Sequence, residues 1–292
     1  MKRFTVILTV LLLLASVGLA GCGGTGDDDT ATTKKPEPAY IVLDEALAEE
    51  EYAIGFRKAD VALCREVERI LVEMKTDGKL AEIDKKWFGE EVNIINASKV
   101  GAAAADESLN KVKTAGKFIL GLDDAFPPMG YRDSETNEIV GYDIDIAREV
   151  CKRMGVELVL QPISWDAKEK EINSGNIDCI WNGFTTNAER EAALCMSMTY
   201  LTNSQVVVTL SDSGITKLAD LKDKTLVIQG GSSALDALKS NPDVQNSLKG
   251  GAAIEVKDNV TAMFDLKSGG SDAVLMDKVV ADYYIANPGA KN

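Results

Sequence analysis

The 292-residue chain contains no histidine, which removes imidazole proton transfer, Ser-His-Asp and Cys-His nucleophilic sites and His-ligated zinc from consideration. Basic residues are short as well: 32 Lys+Arg stand against 46 Asp+Glu, a formal net charge of −14 at pH 7. Holding a phosphate backbone requires clustered cations, so nucleic acid is excluded as a partner. Cysteine is sparse, five in all, and none of the five has metal-ligand spacing. Neither a disulfide-stapled miniprotein nor a metal site is expected, and no cofactor is implied. After residue 22 no apolar run approaches the roughly 20 residues that cross a bilayer. What is present is a globular composition, 45% hydrophobic and 27% charged, in a length that suits one large domain or two lobes.

Residues 1–22 read MKRFTVILTVLLLLASVGLAGC. A basic start, an apolar run too short for a spanning helix and small residues before Cys22 resemble a bacterial lipoprotein signal, with residues 1–21 removed and Cys22 lipidated. The alternative is a short anchor that stays uncleaved. Two or more acyl chains suffice for stable anchoring. Gly21, Gly23 and Gly26 match a dinucleotide fingerprint in spacing, but neither a strand nor a helix flanks them, so residues 22–39 read as a tether.

Farther on, apolar residues at Val61, Cys64, Val67, Leu71 and Met74 predict a helix that Asp60 caps and Asp77-Gly78 stops. A second, short helix carries Leu80, Ile83 and Trp87. Residues 90–108 lose periodicity and read as a linker. Strand-like and helix-like segments then alternate: Phe118–Leu122, Asp143–Met154, Glu157–Gln161, Lys168–Asn173 and Asp178–Trp181. A second series follows at Gln205–Leu210, Leu226–Gln229, Ser232–Ser240, Ala253–Val256, Val260–Leu266, Ala273–Met276 and Lys278–Ile285. This pattern predicts an α/β fold of two lobes, each a mainly parallel sheet flanked by helices. Ligands in such sheets meet the carboxyl ends of strands, which directs attention to the turns after Leu122, Trp181, Gln229 and Met276.

Five segments carry a family likeness: Gly121-Leu-Asp-Asp-Ala-Phe-Pro-Pro-Met, Gly141-Tyr-Asp-Ile-Asp-Ile-Ala, Asn182-Gly-Phe-Thr-Thr-Asn-Ala-Glu-Arg190, Asp272-Ala-Val-Leu-Met-Asp277 and Lys85-Lys-Trp-Phe-Gly89. With them the chain resembles the extracellular amino-acid-binding proteins of ABC importers, the family 3 solute-binding proteins, whose fold is the two-lobed type II periplasmic-binding-protein form with two hinge strands. In ordinary members the material of Gly121–Asn292 comes first and that of Tyr40–Gly89 last. The reversed order reads as a circular permutation. Residues 40–47 then end lobe 2, 48–89 form the carboxyl-terminal part of lobe 1, 90–108 join the old termini, 109–203 make the main part of lobe 1 and 204–292 that of lobe 2. A spliced or misassembled gene, or a fragment completed by another copy, are the alternatives.

A free amino acid presents an ammonium and a carboxylate, and burying either requires an opposite charge with good hydrogen bonds. The resemblance assigns the carboxylate to Arg190, helped by Thr185 and the backbone near Gly183, and the ammonium to Asp277. Read without it, Arg190 is a solvated charge at a helix start and Asp277 a helix cap. Phe126 and Trp165 match ring-stacking positions and Trp181 is a further wall candidate, although large aromatics also serve as core. Asp123 and the turn Gln229, Gly231, Ser232, Ser233 are the specificity candidates; Asp123 also suits a turn cap. Gln229 stands where glutamine-binding relatives carry a lysine, which removes a positive charge. The Ser232 and Ser233 amides at a helix start suit an oxygen ligand. Cys64, Cys151, Cys179 and Cys195 read as buried thiols, though an exported chain permits disulfides. Asp143 and Asp145 sit in a helix's first turn, where the dipole favours them.

The resemblance implies no catalytic residue. It implies a monomer, lipid-anchored on the extracellular face of the bacterial cell membrane, that captures a polar L-amino acid by lobe closure and delivers it to an ABC permease and its ATPase. The rivals are a dehydratase-like enzyme on the same fold, a sensory ligand-binding domain and an inert product of gene rearrangement.

Overall fold

The structure is a computed structural model that describes residues 39–287. The expected signal peptide, Cys22 and nearly all of the tether lie outside the described residues.

Chain order begins with three strands, β1 (Tyr40–Val42), β2 (Ala48–Tyr52) and β3 (Gly55–Arg57). Helix α1 (Val61–Thr76) buries Leu63, Cys64, Val67, Ile70, Leu71 and Met74, the spacing of one helical face. Helix α2 (Lys79–Phe88) ends at Gly89, whose φ of 79° is the left-handed conformation of a glycine stop. Then come α3 (Ser108–Ala115), β4 (Lys117–Leu122), β5 (Ala125–Phe126), β6 (Gly130–Arg132), β7 (Ile139–Val140) and α4 (Tyr142–Met154). They are followed by β8 (Glu157–Pro162), α5 (Lys168–Asn173), β9 (Cys179–Ile180), α6 (Ala188–Ala193), β10 (Leu194–Met196) and β11 (Leu201–Leu210). The chain closes with β12 (Leu226–Gln229), α7 (Ser233–Lys239), α8 (Pro242–Ser247), β13 (Ile254–Val256), α9 (Asn259–Ser268), β14 (Ala273–Asp277) and α10 (Lys278–Ala286).

Two main sheets result. One runs β10-β3-β9-β4-β8, with β4 parallel to β8 and β9 and β3 antiparallel to its neighbours. The other runs β1-β11-β14-β12-β13, with β12 parallel to β13 and β14 and β11 antiparallel to its neighbours. Each is a mainly parallel sheet with one reversed strand second from an edge, the two-lobed α/β architecture expected. The buried strands are apolar on both faces: Leu226, Val227 and Ile228 of β12 have no exposed surface. A small antiparallel sheet β5-β6-β7 escaped the sequence reading because strands of two or three residues have no measurable period.

The first strands of the chain complete both sheets. Tyr40 of β1 pairs with Leu210, and Phe56 of β3 lies between Cys179 and Cys195. Strand β2 pairs antiparallel with the first half of β11, from Leu201 opposite Tyr52 to Gln205 opposite Ala48. These two strands carry the chain between the sheets side by side, and the expected boundary at 203/204 falls inside the continuous strand β11.

Residues 90–108 are docked on the surface of α1 and α2. Asp84 accepts from the Val92 and Asn93 amides, and Glu68 from the Gly101 amide, each at 3.2 Å. The start of α1 corrects one expectation: Asp60 makes no side-chain cap and ion-pairs with Arg57 instead. The free amides of that helix start go to residues at the far end of the linker, Ala62 to Asp106 Oδ2 at 2.8 Å and Leu63 to Ser108 Oγ at 3.0 Å.

Candidate functional site

Strand ends from the two sheets meet across a cleft. Strand β4 delivers Asp123, β12 delivers Gln229, and Gln229 Nε2 donates to Asp123 Oδ2 at 2.6 Å. Burial pushes the Asp123 carboxyl up to about 6 in spite of that bond and another from the Ala125 amide. Beyond Gln229 the backbone turns through Gly231, whose φ is 70°; a Cβ there would lie 2.9 Å from Asp166 Cα in the facing lobe. The Gly231 carbonyl accepts from Lys168 Nζ at 2.8 Å. Ser232 precedes α7 and its hydroxyl returns to the Gln229 carbonyl at 2.8 Å, while Ser233 Oγ lies 3.1 Å from Thr185 Oγ1.

Arg190 is placed by a helix start. The Asn187 side chain caps α6 by accepting from the Arg190 amide at 2.8 Å, and the guanidinium then turns back to donate from Nη1 to the Thr185 carbonyl at 2.6 Å. Its Cζ lies 4.4 Å from the centre of the Phe184 ring. Arg190 is 8% exposed, so the solvated-charge alternative does not hold. Burial pulls the guanidinium down, opposed by Glu169, Asp236, Glu50 and Asp277.

Asp277 ends β14 and makes no side-chain cap to α10, which removes the capping alternative. Its Oδ1 accepts from Tyr52 OH at 2.7 Å and from Asn203 Nδ2 at 2.9 Å. Asn203 Nδ2 also donates to Glu50 Oε1 at 2.6 Å, and Gln205 Nε2 reaches the same oxygen at 2.9 Å. Two carboxyl groups thus share one amide. Burial first, and then Glu50, hold the Asp277 carboxyl well above its usual range.

Phe126 and Tyr52 close over Gly183, where a Cβ would lie 2.8 Å from Phe126 Cε1 and 3.2 Å from Tyr52 Cε2. Only a residue without a side chain leaves these rings their places. Trp165 stands edge-on to Phe184, centroids 5.9 Å apart, with Lys168 Nζ 5.2 Å from its own ring centre. Trp181 departs from the wall role expected of it. Its ring is wholly buried against Tyr200 in the core of the first lobe, because β9 alternates and directs Cys179 and Trp181 to one face and Ile180 to the other. Asp143, read as a helix-start charge, is also fully buried and accepts from the Gly183 amide at 2.8 Å and Tyr200 OH at 2.9 Å. It holds the loop that carries Gly183.

Sequence reasoning missed Glu50, Tyr52, Asn203 and Lys168 as members of this cluster. The pairing of β2 with β11 that brings Glu50 to Asn203 has no local signal. A cavity of about 260 Å³ opens beside the cleft among Lys168, Arg190, Gly231, Ser232 and Asp236. Another, of about 550 Å³, lies between α2 and α10 along Trp87, Phe88 and Tyr283 and touches none of the predicted residues.

The family model of the bacterial extracellular solute-binding proteins, family 3, matches residues 118–271. The L-cystine-binding protein TcyJ of Escherichia coli strain K12 is 29% identical over 192 residues, 65% of this chain and 70% of that protein. The arginine-binding extracellular protein ArtP of Bacillus subtilis strain 168 is 28% identical over 203 residues, 68% of this chain and 76% of its own length. Among solved structures, an ABC uptake transporter substrate-binding protein from Streptococcus pneumoniae with bound histidine superposes with a TM-score of 0.61 at 35% identity, covering 64% of this chain and 76% of that one.

Proposed function

From the premise that this chain belongs to the bacterial extracellular solute-binding proteins of family 3, we propose that it captures a polar L-amino acid between its lobes and hands it to an ABC permease and its ATPase. The observation that carries this reading is the convergence of Arg190 from one lobe and Asp277 from the other on a cleft closed by polar side chains. An α-carboxylate on the guanidinium fork and an ammonium between Asp277 and Glu50 would each gain a charged hydrogen-bond partner on leaving water. Asp123 and Gln229 would face the ligand's side chain.

Closure is the transmitted signal. The lobes turn on the β2 and β11 ribbon, and a ligand favours the closed form by the contacts it makes in that form alone. Arg190 and Asp277 lie in different lobes, so bridging them is such a contact. No nucleophile or proton-transfer step is required, and the protein acts as a monomeric binder rather than an enzyme. An acyl anchor at Cys22 would keep it on the outer face of the cell membrane within reach of the permease. Support for a circular permutation comes from the sheets, where β1, β2 and β3, early in the chain, complete two sheets otherwise built from residues 117–277. The family model begins only at residue 118.

Isothermal titration of residues 30–292 against the twenty common amino acids and cystine tests the reading. One or a few ligands bind with micromolar or tighter affinity, and Arg190→Ala abolishes the heat. A cooperatively folded protein that binds none of them would overturn the assignment.

A further inference from the structure

Away from the cleft, α1 and β10 bring two cysteines together. Cys64 lies on the buried face of α1, and Cys195 is the middle residue of β10, opposite Phe56 of β3. Both side chains pack in one buried cluster, and each thiol's ionisation is governed first by the other. Cys195 also lines a surface cavity of about 370 Å³ with Lys58, Arg65 and Glu191. Cys151 and Cys179 are sealed in the core. Cys64 first, and after it Arg65 and Lys58, hold the Cys195 thiol below its usual range against burial and Glu68. Cys195 and burial in turn keep Cys64 protonated. Thiolate character, an entry cavity and an adjacent second thiol are the three things a cysteine pair needs for disulfide exchange.

We propose that Cys64 and Cys195 form an oxidation site, in which Cys195 attacks a small disulfide entering from the Lys58 and Arg65 side and Cys64 resolves the adduct into an intramolecular disulfide. With oxidised glutathione, the Cys195 thiolate bonds to one glutathione sulfur and expels the other as a thiolate. Cys64 then gives its proton to solvent, bonds to Cys195 Sγ and expels the second glutathione. Two protein thiols are oxidised, and one glutathione disulfide is reduced to two glutathione thiols. The bond joins α1 to β10 across residues 90–108, so it staples the early segment of the chain to the main body of its lobe. It does not depend on what the cleft binds.

The test uses the full chain, reduced, freed of reductant and incubated with excess oxidised glutathione, then alkylated after denaturation, digested with trypsin and analysed by mass spectrometry. The expected product links peptide 59–65 to peptide 191–217, with Cys151 and Cys179 recovered alkylated, and the thermal midpoint rises by several degrees. Cys64→Ala stops at a glutathione adduct on Cys195, and Cys151→Ala leaves the cross-link unchanged. Recovery of both Cys64 and Cys195 as alkylated thiols, arrest of the unsubstituted chain at the mixed disulfide, or a different pairing would each overturn the proposal.

Discussion

Arg190 reaches the cleft with its orientation already set, by the Thr185 carbonyl at 2.6 Å and the Phe184 face at 4.4 Å. A lysine in its place can keep the charge but not the planar fork. Arg190→Lys is therefore expected to weaken amino-acid binding by about tenfold or more, roughly 1.4 kcal/mol, in the titration that identifies the ligand. Asp143 supports a second prediction. Burial pushes its carboxyl up to about 7, against about 3.9 in an unfolded chain. Between those values the folded protein holds a proton that the unfolded chain has released. Its contribution to stability is complete below about pH 4 and is lost as pH rises through about 7. Replacing it by Asn removes that loss while leaving an oxygen to accept from Gly183 or Tyr200. Urea unfolding at about pH 5 and pH 8 should show the Asp143→Asn variant gaining on the wild type toward the higher pH, by at most about 3 kcal/mol. A pH-independent difference would mean that the buried carboxyl is not shifted.

At the scale of elements, what was legible depended on how local its cause is. Helix α5 and strand β12 run over the residues expected, and α1 lies between its expected bounds, because period and stop residues lie within the segments themselves. The cap of α1 was misassigned because its real acceptors are distant: Asp106 is 44 positions from Ala62. The same holds in the cleft. Arg190, Asp277 and Asp123 were named from motifs that follow or end strands, whereas Glu50 enters through the register of β2 on β11, which no local pattern encodes. The distant cap gives a test of the linker. Asp106→Ala and Ser108→Ala should each cost about 1 kcal/mol in urea unfolding while ligand affinity is unchanged. Ser108 Oγ also donates to Asp106, so the double variant should lose less than the sum. A linker that merely spans a gap would show no loss in either variant.

For the whole molecule, the order of segments and the arrangement of strands are separable facts. Sheet pairing asks only that β1 lie on β11 and β3 between β9 and β10, and neither demand says where the chain begins. Residues 90–108 provide one joint between the segments, docked by Asp84, Glu68 and α1. A chain recut to run from Ala104 to Asn292 and then from Tyr40 to Ala103 keeps Asp106 and Ser108 at the start of α3, so the α1 caps survive. It trades the joint at 103/104 for one between Asn292 and Tyr40. Closing loops that differ twofold in length changes the entropy by only about 0.6 kcal/mol, and Arg190, Asp277 and the β2 and β11 ribbon are untouched by either cut. The recut protein should then bind the same ligand within about threefold in calorimetry, since about 0.6 kcal/mol is close to that factor. Were it to bind while the natural order does not, the present order would be a disabled rearrangement. Were it to fail to fold while the natural order folds, the segments would not be interchangeable, and the resemblance in sequence would have hidden a different dependence on chain order.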